Sequence, residues 1–480
     1  MTSKTPLQLS RDEMRALGAR ALDIVIDHYE TNRDAPVTRK LTRADAERLL
    51  RTPLPEHGMP VNELLDIVTR DVFPWGFRTD HPRFYAFVPG PGNFVSVVGD
   101  LLTSGQNLFA GHWMAAAGAA EIEMIVIDWL KELVGYPAEA SGIMVSGGSM
   151  ANLSAVAAAR EVRLGGPDER AVIYCSDQTH SSVGKGIRIL GFRAEQRRTV
   201  ATDEALRLSV PALEAAIRDD RAAGRRPFCV VANAGTTNTG AVDPLDALAD
   251  LCAREGMWLH VDGAYGAAAV ITARGRAALA GIERADSITI DPHKWLFQPF
   301  ELGCLLVRDP TAQPRAFRID DADHPDYLAD VTRHIRHDVN FYEHGIQLTR
   351  SFKALKLWLS MRAFGLAEFR RAVDVGFDMA GFAERTLRAD GRWTIVTPAQ
   401  MGIVTFRWND PAKSDAEIDA ITSRTADLMR EDGYALVMST TLRGRPALRL
   451  CPIHPATRED ELRETIARLG RFSIAAAAQA

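Results

Sequence analysis

The chain has 480 residues, 46% of them hydrophobic and 25% charged, with a formal net charge of -5. This is ordinary globular composition, long enough for two or three domains, and it excludes a largely disordered chain. A pI near 6.2, without a dense Lys/Arg block or zinc-finger spacing, argues against a nucleic-acid partner.

The first element is a helix. Ser10 and Glu13 have capping-box spacing, and Met14, Leu17, Ala21 and Val25 then fall on one face. The residues before it lead into this polar-faced helix rather than an apolar signal core, so a cytoplasmic protein is expected. Pro53, Pro55 and Pro60 punctuate the next stretch of chain. This opening segment is too small to hold a core alone and is expected to pack on something else, such as a partner subunit. Ala140–Ala159 is free of charge and as long as a membrane span. Its serines, glycines and Asn152 would resist a bilayer, and strand, turn, helix is the better reading.

Through the middle, short apolar runs alternate with amphipathic, Ala-rich stretches. The runs are 142–146, 171–175, 228–232, 257–261, 287–290 and 303–307. Strand and helix in repeated alternation predict an α/β fold with a mostly parallel central sheet. Ligands in such sheets sit beyond the carboxyl ends of the strands, where Ser146, Asp262 and Lys294 fall. Residues 320–338 are rich in charge and poor in periodicity, which predicts a mobile surface loop. From about Arg362 a helix and runs at 393–396, 402–408, 434–438 and 447–450 predict a smaller α+β domain. The five cysteines are scattered, without a Cys-x-x-Cys pair, and read as reduced core thiols.

Four features converge on one chemistry. Lysine is scarce, at eight of the 57 basic residues, yet Lys294 directly follows a strand-like run within Asp-Pro-His-Lys-Trp. A lysine held rigid and partly desolvated there has a lowered pKa and becomes an amine nucleophile toward aldehydes. Lys185, between two glycines, is the rival and lacks this strand context. Asp262, closing Met-Trp-Leu-His-Val-Asp, can pair with a protonated pyridine nitrogen, and Gly263 to Gly266 permit close approach of a ligand. Ser146-Gly-Gly-Ser149, before a helix starting near Met150, offers free N–H groups and a helix dipole to a phosphate. Asn152, one turn on, is either a ligand contact or helix surface. His180, just past the strand ending at Cys175, can stack on a pyridine face and act as an acid or base. An amine, a pyridine partner, a phosphate cradle and a stacking imidazole together call for pyridoxal 5'-phosphate (PLP).

Asp-Pro-His-Lys-Trp, His-Val-Asp-Gly-Ala-Tyr, Thr-His-Ser-Ser-Val and His81-Pro-Arg-Phe-Tyr-Ala-Phe87 resemble the group II PLP-dependent amino-acid decarboxylases, which include the aromatic-L-amino-acid decarboxylases. The resemblance runs from about Leu17 to Leu469. It implies PLP fold type I and a homodimer with the site at the interface. It also implies three parts: an N-terminal helical segment (1–85), a large PLP-binding domain (86–361) and a small C-terminal domain (362–480). By motif, Lys294 corresponds to the Schiff-base lysine, Asp262 to the pyridine partner and His180 to the stacking histidine. Gly148, Ser149, His293 and Asp291 fall at the phosphate end, and Thr236 at a ring contact. Asp243 and Arg350 resemble an ion pair near the cofactor, and Tyr327 the loop tyrosine that protonates carbon.

The substrate side would be Phe87, Val88, Pro89, Phe109, Trp113 and Thr349. Many relatives carry Asn at Asp291, so a carboxylate here faces the phosphate position. The segment at Phe87, Thr349 and His112 also depart from the aromatic enzymes, which bears on the substrate more than the reaction. The expected reaction is decarboxylation of an aromatic L-amino acid to the amine and CO2. An aldehyde synthase and a decarboxylase of acidic amino acids are the alternatives, the latter needing an arginine such as Arg83 for a distal carboxylate. A non-catalytic PLP-fold subunit and a transaminase fit less well, because every catalytic position is filled and His-Lys-Trp suits the decarboxylases.

Overall fold

A computed structural model describes residues 7–318 and 339–479. Its centre is a seven-stranded sheet in the order Ser141–Val145, Gly303–Val307, Ser287–Ile290, Trp258–Asp262, Arg226–Asn233, Ala171–Ser176, Arg197–Val200. The last five run parallel to one another. Gly303–Val307 is antiparallel to both neighbours, so the sheet has one reversed strand. All six predicted runs are strands, with ends shifted by one or two residues at most. Arg197–Val200 was missed because as an edge strand it carries two arginines and only one buried residue.

The five central strands are near-continuous buried runs because helices cover both faces. One of these helices is Gly148–Leu164, nine of whose residues between Ala151 and Ala159 are buried. The uncharged stretch is therefore a strand, a turn and a core helix. No described helix is long and apolar enough to cross a membrane. All five cysteines are buried and free.

A second sheet, wholly antiparallel, has the order Trp393–Gln400, Ile403–Trp408, Arg445–Leu450, Met438–Leu442. The strand expected at 434–438 instead begins at Met438, and Ala435, Leu436 and Val437 form a buried approach to it. This sheet has its own apolar cluster, including Phe382, Trp393, Phe406, Met429 and Leu462, with Tyr85 reaching in from the amino-terminal side. The helix Leu355–Asp390 runs straight across the expected 361/362 boundary, and its break comes at Gly365, with φ of 75°.

The capping box at Ser10 and Glu13 forms, and helix Arg11–Thr31 extends from it without burying one residue. Leu22, Ile26 and Tyr29 on that helix remain exposed. The predicted loop at 320–338, with Tyr327, lies outside the described residues.

Candidate active site

Six of the seven strands point the same way, so their carboxyl ends meet on one edge of the sheet. A cavity of about 300 Å3 opens there, lined by Ser146–Ser149, Asn152, His180, Ser182, Asn233, Gly235, Thr237, Asp262, Ala264, Tyr265, Asp291, His293, Lys294 and Glu301. The amine, the carboxylate, the glycine turn and the imidazole read from the sequence are thus brought to one place. Lys185 is not among them; it faces a different hollow, beside Arg188 and Arg197.

Lys294 follows the strand Ser287–Ile290 in a tight turn, its N–H donating to Asp291 O, and its Nζ lies 3.0 Å from Asp291 Oδ2. Asp291 is itself 1% exposed, and its Oδ1 has no partner among the described residues. Asp262 ends its strand with Oδ1 accepting from Ala264 N (3.1 Å) and Oδ2 accepting from Asn152 Nδ2 (2.9 Å). Asn152 is therefore buried structure rather than helix surface.

The glycine turn is enforced by packing. A Cβ at Gly147 would come 3.0 Å from the His293 ring, and one at Gly148 would come 3.0 Å from Asp291 Oδ2. Gly147 is the N-cap of helix Gly148–Leu164 and supplies no side-chain cap. The first-turn N–H groups at Gly148 and Ser149 are left facing the cavity, where an anion is the natural partner. His293 Nδ1 accepts from Leu302 N (3.1 Å), so its neutral ring carries the proton on Nε2, and burial pushes its pKa down. This donor set of backbone amides, Ser149, His293 and Lys294, facing Asp262 across the cavity, fits PLP from phosphate to ring nitrogen.

His180 caps helix Ser181–Ile189. Its Nδ1 accepts from Ser182 N (3.2 Å) and pairs with Ser182 Oγ (2.8 Å), which leaves Nε2 as the protonated nitrogen of the neutral ring.

Other expectations are displaced. Thr236 is turned away: its hydroxyl pairs with Thr239 Oγ1 at 2.8 Å, and the next residue, Thr237, lines the cavity instead. Asp243 and Arg350 do not pair. Arg350 Nη2 meets Glu123 Oε1 at 2.5 Å and Met144 O at 2.7 Å. Asp243 accepts from Leu208 N and from Asn233 N and Nδ2, and burial raises its pKa to about 6. Its contribution to the site is to hold Asn233.

The proposed substrate residues are not part of this chain's cavity lining. Phe87 is exposed in a left-handed turn with φ of 46°, its carbonyl held by Arg449 Nη1 at 2.5 Å. Val88 and Pro89 come next, and a Cβ at Gly90 would meet Phe300 Cζ at 2.8 Å and His293 O at 3.1 Å. Phe109, Trp113 and Thr349 gather elsewhere. Ala110 N donates to Arg350 O and Trp113 N to Asn340 Oδ1, which ties the two segments together. Asn233, Gly235, Thr237, Tyr265 and Glu301 were not anticipated. Thr237 adjoins a residue that was, and Tyr265 ends the His-Val-Asp-Gly-Ala-Tyr motif, but Glu301 carried no signal.

A PLP-shaped site at the strand ends of an α/β sheet defines a PLP-dependent enzyme of fold type I. Residues 44–409 match the pyridoxal-dependent decarboxylase conserved domain, and the chain belongs to that family of PLP-dependent carboxy-lyases. It is 46% identical to an aromatic-L-amino-acid decarboxylase of Bacillus atrophaeus over 96% of each chain. A phenylacetaldehyde synthase of Petunia hybrida is 32% identical, over 84% of this chain and 81% of that one. The solved Oryza sativa TDC with PLP and tryptamine superposes with a TM-score of 0.92 at 28% identity, covering 98% of this chain and 99% of that one.

Proposed function

We propose that this enzyme decarboxylates an aromatic L-amino acid to its amine and CO2, acting as a cytoplasmic homodimer. One observation carries the substrate class. The described lining of the cavity holds three carboxylates, Asp262, Asp291 and Glu301, and no arginine. Arg83, the candidate partner for an acidic side chain, instead donates to Tyr434 O (2.7 Å) and Glu461 Oε1 (3.3 Å). With Asp262 assigned to the ring nitrogen and Asp291 to Lys294, Glu301 is the carboxylate left to face the substrate, and it would repel a distal acid group where a guanidinium is needed. The similarity to the Bacillus aromatic enzyme supports the same choice.

PLP, when bound, supplies the aldehyde that takes up the amino group and the ring that accepts the electron pair from the breaking Cα–carboxylate bond. Lys294 would hold the aldehyde end. Asp262 would keep the ring nitrogen protonated, while Gly148, Ser149 and His293 would hold the phosphate. His180 would be the imidazole available to the ring. Carbon then needs one proton in place of CO2, and His180 Nε2–H and the hydroxyl of Tyr327 are the two acids proposed for it.

Phe109, Trp113 and Thr349 sit in a cluster bordered by the exposed side chains of Leu108, Met114, Ile346 and Leu348. An apolar surface of this kind, together with the unburied helix Arg11–Thr31, supports docking of a second copy that brings these residues to its neighbour's cavity.

The test is a mass-spectrometric product screen of PLP-loaded enzyme against tryptophan, tyrosine, phenylalanine, DOPA, histidine, glutamate and aspartate, with peroxide followed in parallel. Amine from an aromatic acid without peroxide is expected, and its loss in Lys294→Ala. Aldehyde with stoichiometric peroxide would make the protein an aldehyde synthase, and turnover of glutamate or aspartate alone would overturn the substrate class.

A further inference from the structure

Beneath the cavity floor lies a chain of polar side chains, buried from Trp258 to Ser182 and ending at the exposed His180, whose linkage no motif announced. Trp258 Nε1 lies 2.9 Å from Ser287 Oγ, and Ser287 Oγ lies 2.8 Å from His260 Nδ1. His260 Nε2 is 3.0 Å from Asn152 Oδ1, which Thr289 Oγ1 also reaches at 2.7 Å. On its other side, Asn152 Nδ2 is 2.9 Å from Asp262 Oδ2 and 3.2 Å from Ser182 Oγ. Ser182 Oγ in turn meets His180 Nδ1 at 2.8 Å.

The direction of every bond is set by the two ends. An indole N–H can only donate, and an ionised carboxylate can only accept. Trp258 therefore donates to Ser287, and Asn152 Nδ2 donates to Asp262. This turns Asn152 Oδ1, an acceptor only, toward His260 Nε2 and leaves His260 Nδ1 to accept the Ser287 hydroxyl proton. His260 then carries its proton on Nε2 and donates to Asn152 Oδ1. Burial lowers the His260 pKa to about 4, in keeping with one proton on the ring. With its oxygen accepting twice, the Asn152 amide must present both hydrogens to the cavity side, one to Asp262 and one to Ser182. Ser182 passes its hydroxyl proton to His180 Nδ1, where the Ser182 backbone N–H already donates.

We infer that Asn152 is a four-way positioning residue that orients both ring-facing groups, fixing the rotamer of Asp262 and the proton-on-Nε2 form of His180. The inference rests on the roles proposed above for Asp262 and His180. Asn152 is 1% exposed, and both its donors and both its acceptor sites are used, so no other residue type of its size reproduces the pattern. Asp keeps the shape but replaces two donors by acceptors.

The experiment compares Asn152→Asp and Asn152→Ala at pH 8. Each apoenzyme is titrated with PLP, with affinity read from fluorescence quenching and the visible absorption band recorded. Circular dichroism identifies folded material. Asn152→Ala is expected to weaken PLP by about tenfold, the effect of one hydrogen bond to a charged group. Asn152→Asp is expected to be worse, by about a hundredfold, with a displaced band, because it sets a second acceptor against Asp262. Packing alone predicts the reverse order, since Asp fills the space and Ala leaves a void. Ser182→Ala breaks only the His180 branch. It should move the band while costing PLP affinity less than about threefold, and it keeps the test open if either Asn152 variant fails to fold. Wild-type affinity and spectrum in Asn152→Asp, or a greater loss in Asn152→Ala, would overturn the inference. Asp262→Ala separates the two levels: if it binds PLP like wild type, the role of Asp262 itself falls.

Discussion

Asp291 Oδ2 lies 3.0 Å from Lys294 Nζ and sits directly beneath the Gly147–Gly148 turn, where a Cβ on Gly148 would touch it. One carboxylate thus holds the amine and also lies under the proposed phosphate cradle. Replacing it with Asn removes a negative charge from beneath the phosphate while keeping the side chain's shape. Asp291→Asn is expected to tighten PLP binding to the apoenzyme by about tenfold, equivalent to ~1.4 kcal/mol. Equilibrium titration checks this, and weaker binding would show that the carboxylate's hold on Lys294 matters more.

The ion pair of Arg350 and Glu123 is almost wholly buried, with side-chain exposures of 1% and 0%. Removing one partner strands the other charge in the core. Arg350→Ala or Glu123→Ala should each destabilise the fold by about 3–5 kcal/mol, whereas the double replacement Arg350→Met with Glu123→Met should lose less than either. Urea-unfolding midpoints of the three variants test this.

Stability should fall with acid in a defined window. Burial lowers the pKa of His81, His260, His344 and His454 from 6.5 to about 4. For each, the unfolded chain binds more protons between pH 6.5 and 4. The stabilisation is therefore complete above pH 6.5 and is lost as pH falls toward 4. His260 alone accounts for roughly 1 kcal/mol by pH 5.5. Asp243 works the other way: burial raises its pKa from 3.8 to about 6, so its contribution improves as pH falls through that range. Four groups oppose one, and the thermal midpoint should drop between pH 7 and pH 5. His260→Gln should flatten that drop.

Glu301 lines the same cavity as Lys294 and was invisible to motif reading. If it repels acidic substrates, Glu301→Gln should raise kcat/KM for glutamate relative to the preferred aromatic acid by about tenfold, ~1.4 kcal/mol. The ratio measured in competition is the readout, and an unchanged ratio would remove Glu301 from specificity.

The legible parts were those written in local sequence. Buried strands appear as apolar runs, and a capping box or glycine turn needs only a few adjacent residues, so six strands, the start of helix Arg11–Thr31 and the Ser146–Ser149 cradle could all be read directly. Lys294, Asp262 and His180 were legible for a related reason: each lies just at or past the end of a strand, and strands of one direction end on one edge. Pairings between distant segments were not legible. Arg350 chose Glu123 over Asp243, and Asn152 joined Trp258, His260, Asp262 and His180, because those choices depend on which side chains the packed sheet and helices bring within hydrogen-bond reach. Thr237 replaced Thr236 for the same kind of reason, since a one-residue turn of the backbone decides which side chain meets the cavity. Sequence alone thus determined the chemistry and its scaffold. Only the tertiary structure decided which neighbours hold that chemistry in place, since hydrogen bonds and ion pairs in a core are set by distances between segments far apart along the chain.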